Sequence, residues 1–315
     1  MPVLPDELRE FPPYRTRVMT PADLKAVAQI DRDAFELYRR QQRRLARPLR
    51  LRTPENLNAA VRRPYPGVVV ESPPGRVVGY CFTHVWGTLG WLGTLGVTPA
   101  SQGLGLGRAV TAAGLDLLRQ AGCQTLALET MPESGKNIAL YARLGLQPRT
   151  LTCLLQGEVR AAESTHFEVW DGGGAMREVA GRLAPGLDPT PAARWLDDEE
   201  AGRTLVWRED GEAVAFAVLR HKPRRLEGMQ THLTVEAAAC LPHAAEHWPR
   251  YLSEMQVYAE RLGQMGLVLP VNGRQFALLE SALVAGLRIV HTRVRMVSGH
   301  DLGGADDLLM LTLAM

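Results

Sequence analysis

Leu95-Gly96-Val97-Thr98-Pro99-Ala100-Ser101-Gln102-Gly103-Leu104-Gly105-Leu106-Gly107-Arg108 reads as the end of an apolar strand, a short turn and a glycine-rich opening to a helix. Glycines at 103, 105 and 107 remove side chains where a ligand has to approach the backbone closely. The helix predicted from Gly105 to Gln120 starts with free N–H groups and about half a positive charge from its dipole. Together these make a cradle for phosphate.

Spacing separates this turn from other glycine-rich ones. A dinucleotide-binding turn runs G-x-G-x-x-G directly after the first strand of a βαβ unit. Here the pattern is G-x-G-x-G, five residues lie between Val97 and Gly103, and antiparallel strands are predicted before it. Glu129, 22 residues past Gly107, is the one feature placed like an acidic ribose ligand. A P-loop would need a closing Gly-Lys-Ser/Thr, which is absent.

The stretch resembles the acyl-CoA-binding motif of the GNAT N-acetyltransferase superfamily, V-x-P-x-x-Q/R-G-x-G-x-G/A. Val97, Pro99, Gln102, Gly103, Gly105 and Gly107 match it. The resemblance implies that backbone groups of Leu95, Gly96 and Val97 pair with the pantetheine of acetyl-CoA. It implies that Gln102, Gly103, Leu104, Gly105, Leu106, Gly107 and Arg108 hold the pyrophosphate.

Outward from the motif, the chain shows a repeat. Gly122–Leu128 can be laid over Gly263–Leu269, and the same offset of 141 residues puts Leu144-Gly145-Leu146 on Ala285-Gly286-Leu287. Val77–Phe82 pairs with Ala213–Val218 at a slightly smaller offset, each after a turn signal, Pro73-Pro74-Gly75 and Asp210-Gly211. A tandem duplication is the reading. In the first copy a strand near Tyr14–Met19 leads to Thr20, which can cap a helix at Pro21. A helical region over 24–63 follows, broken at Pro48 and Pro54. Strands at Val68–Glu71, Val77–His84 and Leu89–Val97 precede the glycine turn and its helix. A strand at Thr125–Glu129, a helix over 136–144 and a strand near Thr150–Leu155 complete the unit. That order, βααβββαβαβ, resembles the GNAT fold. The expected class is α/β (α+β): two GNAT-like domains in tandem, each a mixed, mostly antiparallel sheet flanked by helices. They would span residues 1–160, the catalytic unit, and 161–315, with the join within 156–178 and Asp171-Gly172-Gly173-Gly174 its most flexible stretch.

The second copy has lost the cradle. At the offset, Gln102–Gly107 falls on His243-Ala244-Ala245-Glu246-His247-Trp248, which cannot present bare peptide nitrogens to a phosphate. Trp248, Leu252, Met255, Tyr258 and Leu262 recur at helical spacing and read as a core stripe. The second half reads as scaffold, substrate wall or dimer surface.

Acyl transfer from a thioester to an amine needs a neutral amine, a donor for the oxyanion and a proton for the departing thiolate. Glu129 closes the apolar run Leu126-Ala127-Leu128, where a polar residue would face a cleft. A carboxylate serves as base best through a water or with burial raising its pKa. Tyr141 lies on the next helix, and a phenol with a pKa of about 10 can protonate a thiolate. The Glu-x11-Tyr spacing is similar to that of superfamily members acetylating N-terminal amines, which implies Glu129 as general base and Tyr141 as general acid. Leu140-Tyr141-Ala142-Arg143-Leu144-Gly145-Leu146 looks like the family's L-Y-x-x-L-G-F. The bland alternatives are a strand-end Glu129 held in a salt bridge and a packed Tyr141. At the repeat offset the two become Pro270 and Ala282. His84, closing Tyr80-Cys81-Phe82-Thr83, can line the acceptor pocket, act as base instead of Glu129, or be a surface histidine. Ser134 and Asn137 share the register of the family's CoA-contacting Asn, and both stay open.

Composition sets outer bounds. The chain has 315 residues, 46% apolar and 22% charged, enough for two globular domains. A net charge of +2 gives no general case for nucleic acid. Arg39-Arg40-Gln41-Gln42-Arg43-Arg44-Leu45-Ala46-Arg47, continuing to Arg50 and Arg52, borders the acceptor site in the family. It reads as a recruiter of an anionic acceptor or as a solvated helix face, and its sparse aromatics argue against nucleic acid. No membrane span or signal segment is expected. Cysteines 81, 123, 153 and 240 are too scattered for a metal site and read as core residues in a reducing cytoplasm.

The leading expectation is thus an acetyl-CoA-dependent N-acetyltransferase with one active site and an unidentified amine acceptor, working by direct attack in a ternary complex. Two halves in one chain mimic a homodimer, leaving it monomeric or able to pair again. Tandem members of the superfamily include mycothiol synthases, in which the C-terminal half resembles the active one; the polarity here is opposite. A non-catalytic acyl-CoA sensor and an antibiotic- or polyamine-detoxifying enzyme are the other readings.

Overall fold

Val68, Val69 and Val70 show how the first half is layered. Successive side chains of a strand point to opposite faces. Val68 and Val70 pack with Val78, Leu92 and the helix residues Leu106, Val110 and Leu117. Val69 turns the other way, among Tyr80, Phe82, Val27, Ile30 and Leu57. The computed structural model describes residues 9–41, 54–169, 173–222, 231–300 and 308–311. Residues 42–53 of the basic stretch, with Pro48, and Asp171 and Gly172 of the join lie outside them.

The first copy runs β1 (Arg9–Phe11), β2 (Tyr14–Val18), α1 (Leu24–Gln41), α2 (Pro54–Val61), β3 (Gly67–Ser72), β4 (Arg76–Trp86), β5 (Leu89–Val97), α3 (Leu106–Gln120), β6 (Thr125–Thr130), α4 (Gly135–Ala142) and β7 (Gln147–Gly157). Past the edge strand β1, this is the order read from the sequence. β2 to β5 form an antiparallel run, with α3 on one face and α1 and α2 on the other. Thr20 meets a single helical turn at Pro21–Asp23, where Asp23 Oδ2 accepts from the Thr20 amide (2.8 Å) and hydroxyl (2.9 Å).

The second copy runs β8 (Phe167–Val169), α5 (Gly174–Leu183), α6 (Thr190–Asp198), β9 (Gly202–Glu209), β10 (Glu212–Arg220), β11 (His232–Cys240), α7 (Trp248–Arg261), β12 (Gly266–Asn272), α8 (Phe276–Val284) and β13 (Arg288–Ser298), and β14 (Leu308–Leu311) follows. β7 and β13 begin and end at positions 141 apart. Of the predicted stripe, Trp248, Leu252 and Met255 are buried in the second core and Tyr258 packs against it. Leu262, beyond the last turn of α7, is 38% exposed instead.

The two copies share one sheet, in the order β1-β2-β3-β4-β5-β6-β13-β7-β12-β11-β10-β9-β8. Each copy inserts its last repeat strand into the other. β13 stands between β6 and β7, and β7 between β13 and β12, all antiparallel. The backbone ladders at the joint thereby run across the copies, interrupted by irregularities between Ile289 and His291 and between Arg295 and Met296. α5 and α6 cover strands of both: Trp86, Leu89, Trp91 and Ala127 share a core with Met176, Val179 and Leu196.

Candidate functional site

β5 and β6 are parallel neighbours over three rungs only, Leu89–Trp91 against Thr125–Ala127. Beyond Trp91, β5 bulges: Leu92 pairs with Thr83 and Leu95 with Cys81, so that two residues, Gly93 and Thr94, face one. A bulge bends its strand and increases local twist. β5 therefore stays on β4 out to Val97 while leaving β6, and a wedge-shaped cleft opens between them. The β6-facing edge of Leu95, Gly96 and Val97 has no strand partner among the described residues.

The glycine turn stands at the mouth of this cleft. A single helical turn, Pro99–Ser101, leads into it, and Gln102 Nε2 donates to the Val97 carbonyl at 3.3 Å. Gly103 and Gly105 have φ of +85° and +80°, conformations that disfavour a Cβ. Gly105 caps α3 by accepting from the amides of Arg108 and Ala109. Among the described residues, the amides of Gly103, Leu104, Gly105, Leu106 and Gly107 find no backbone acceptor. A Cβ on Gly103 would meet nothing within 4 Å, and one on Gly107 only Leu140 Cδ2 at 3.9 Å. Space and donors thus fit a diphosphate. Leu104 and Arg108 are exposed, Leu106 buried. Ser134 caps α4 through its carbonyl, which accepts from Asn137 and Ile138. The side chains of Ser134 and Asn137 both stand partly exposed, and the geometry does not choose between them.

Glu129 and Tyr141 approach the cleft from opposite faces of the sheet. The Tyr141 ring is buried beside Leu106, Val110 and Leu146 on the α3 face. Burial, and secondarily the neighbouring Cys81, raise its pKa above the usual phenol value, so it keeps its proton. No protein group bonds its hydroxyl among the described residues. Glu129 lies two residues after Ala127 and so faces α5 and α6. Its side chain is fully buried. Oε1 accepts from Thr152 Oγ1 at 2.5 Å and from Arg295 Nη2 at 2.9 Å and Nε at 3.2 Å. Among the described residues Oε2 has no hydrogen bond, and Arg293 Nη1 pairs with it ionically at 3.6 Å. The salt bridge weighed as the bland alternative is therefore present and engages both oxygens, Oε2 only through the longer ion pair to Arg293.

Sequence reasoning missed Arg295 and Thr152, and no local pattern could have found Arg295, which lies 166 residues from Glu129. His84 is a buried residue, 7% exposed, stacked on Trp91 with ring centroids 3.8 Å apart. The surface reading of it is thereby corrected: the second copy roofs this end of β4. Cys81, Cys123, Cys153 and Cys240 are buried and unpaired.

The second copy opens a matching cleft and fills it. β11 pairs with β12 only over His232–Thr234, and its freed edge, Ala237–Cys240, is taken by β14. Arg295 Nη2 also donates to the Leu311 carbonyl at 2.6 Å, and Gln275 Nε2 to that of Leu309 at 3.1 Å. In place of a glycine turn stands a helical turn at Pro242–His247. No described helix is long and apolar enough to cross a membrane.

Residues 25–146 match the profile of the acetyltransferase (GNAT) family. A mycothiol acetyltransferase of Arthrobacter sp. (strain FB24) is 34% identical over 84 residues, 25% of this chain and 26% of that one. The chain thus matches about a quarter of this relative's length. Over the whole chain the likeness is one of fold. A protein from Pyrococcus horikoshii assigned as an acetyltransferase superposes with a TM-score of 0.68 at 17% identity, covering 97% of both chains. A tandem GNAT protein from the clavulanic acid biosynthesis pathway gives 0.54 at 15% identity, covering 90% of this chain and 98% of that one.

Proposed function

We propose, from the match of residues 25–146 to the acetyltransferase (GNAT) family, that the chain moves an acetyl group from acetyl-CoA to a primary amine. The observation that carries this is the row of free amides over Gly103–Gly107 at the mouth of a cleft whose strands part at Trp91. Acetyl-CoA supplies the activated thioester. The edge of Leu95–Val97 offers hydrogen bonds to an extended pantetheine arm, and Gln102–Arg108 hold the pyrophosphate. Ser134 or Asn137 adds a contact from α4.

Glu129 is the base in this reading, through Oε2, the oxygen without a hydrogen bond among the described residues. It takes a proton from the amine directly or through a water, while Arg295 and Thr152 hold the carboxylate still. Tyr141, kept protonated by burial, gives its proton to the departing sulfur from the other face. The unit at 1–160 performs the chemistry. The unit at 161–315 is scaffold and wall, its own cleft taken by β14. Cytoplasmic location, and a monomer or homodimer, belong to this proposal.

Calorimetry with acetyl-CoA, followed by thiol release with a panel of amines, tests it. Binding with amine-dependent release supports the enzyme. Binding without release favours the acyl-CoA sensor, and undiminished uptake by a variant with bulky residues at Gly105 and Gly107 overturns the site.

A further inference from the structure

Above the closed end of the cleft lies a group of side chains that the chemistry so far leaves unused. His84 pairs across from Trp91, and Trp91 from Ala127, the last rung before β5 and β6 part. Ala127 and Glu129 share a face of β6, so this group borders the proposed base. Arg63 Nη1 lies 2.6 Å from His84 Nδ1. A guanidinium can only donate, so Nδ1 accepts and carries no proton.

From the second copy, α6 lays Trp195 over the same place. The guanidinium carbon of Arg63 stands 4.5 Å from its ring centroid, and that of Arg220 4.6 Å. The two cations are therefore no farther apart than the sum of those distances. Arg220 Nε donates to Glu236 at 2.7 Å. Among the described residues its Nη2 is buried without a hydrogen-bond partner, in a residue only 6% exposed. Burial, then the charge of Arg220, lower the pKa of Arg63 to about 10, with Glu199 opposing. Glu236 offsets the charge of Arg220, but among the described residues Arg63 has no ion pair and the Arg220 Nη2 donor no acceptor, and an anion between them would supply both. Arg63 and Trp195 are only partly buried, which leaves an approach from solvent.

We infer that the acceptor amine carries an anionic group, carboxylate or phosphate, held between Arg63 and Arg220 beside Trp195, with its amine directed toward Glu129. This rests on the acetyl-transfer reading and adds the class of acceptor. A guanidinium fork matches either oxyanion in bidentate fashion. The site exists only because the copies meet: Arg63 and His84 come from the first, Trp195 and Arg220 from the second.

The test is thiol release from acetyl-CoA with amine pairs that differ only in the anion: glycine and glycinamide, L-alanine and L-alaninamide, O-phosphoethanolamine and ethanolamine. The acidic member of at least one pair should exceed its neutral partner about tenfold or more in kcat/KM. Which pair responds tells carboxylate from phosphate. Arg220→Gln and Arg63→Gln should each erase the preference through KM, while calorimetric affinity for acetyl-CoA reports an intact coenzyme site. If Arg220→Gln does not fold, Arg63→Gln at its partly exposed position carries the test. Equal use of neutral partners, a preference that survives the substitutions, or no acidic amine used although acetyl-CoA binds, overturns the inference. Failure to bind acetyl-CoA overturns the acetyl-transfer reading, and this inference with it.

Discussion

Glu129 of β6 and Arg295 of β13 are direct cross-strand partners from the two copies, with Arg295 Nη2 2.9 Å from Glu129 Oε1. At the repeat offset their counterparts are Pro270 and Leu154, which also face each other across adjacent strands. One contact of the duplicated joint is ionic and its twin is apolar. Removing one partner of a buried pair leaves an uncompensated charge, whereas replacing both by apolar groups often costs little. Arg295→Met should therefore destabilise the fold by about 3–5 kcal/mol, and Glu129→Leu with Arg295→Met should recover most of that loss. Urea unfolding of the single and double variants measures both.

Glu129→Gln keeps the acceptor oxygen toward Thr152 and Arg295 and removes the proton-accepting charge. Turnover should fall about 100-fold or more, with acetyl-CoA affinity retained. Steady-state kinetics beside calorimetry checks this, and unchanged turnover would leave the carboxylate a purely structural role.

Tyr141→Phe deletes a hydroxyl that no group among the described residues bonds. The melting temperature should barely move while kcat falls by about 100-fold. Because the pKa of Tyr141 is raised, its proton is lost only above the ordinary phenol range, so Tyr141 should set no alkaline limb in the pH profile of kcat below about pH 10.

Gly107→Ala separates folding from binding. A methyl there meets only Leu140 at 3.9 Å, and alanine in a helix gains about 0.5–1 kcal/mol over glycine. Stability should hold or rise while acetyl-CoA affinity drops, because in the proposed site the methyl would stand where a phosphate approaches the amides. Thermal shift with and without acetyl-CoA shows the two effects moving in opposite directions.

One acetyl-CoA should bind per chain. The β11 edge that corresponds to Leu95–Val97 already pairs with β14, and no glycine turn precedes α7. Titration calorimetry giving two sites would refute this.

Much of the first copy was legible because its signals are local. Gly103 and Gly105 supply positive φ within a few residues of chain, and the unbroken apolar run Val68–Val70 suits a strand packed on both faces. The offset of 141 residues carried the element order into the second copy. Glu129 was readable as a polar end to an apolar strand, but its partner was not. His84 looked like a surface strand end because nothing nearby in the chain announces α6 above it.

From the residues alone come the glycine-rich turn, the duplication and the loss of that turn in the second copy, since each depends on backbone conformation and short-range periodicity. Folding in three dimensions supplied the exchange of β7 and β13, the occupation of one cleft by β14, and the meeting of Arg63, Trp195 and Arg220. Side-chain period says which face a residue takes but not which distant strand or helix will lie against it. That choice belongs to the packing of the whole sheet.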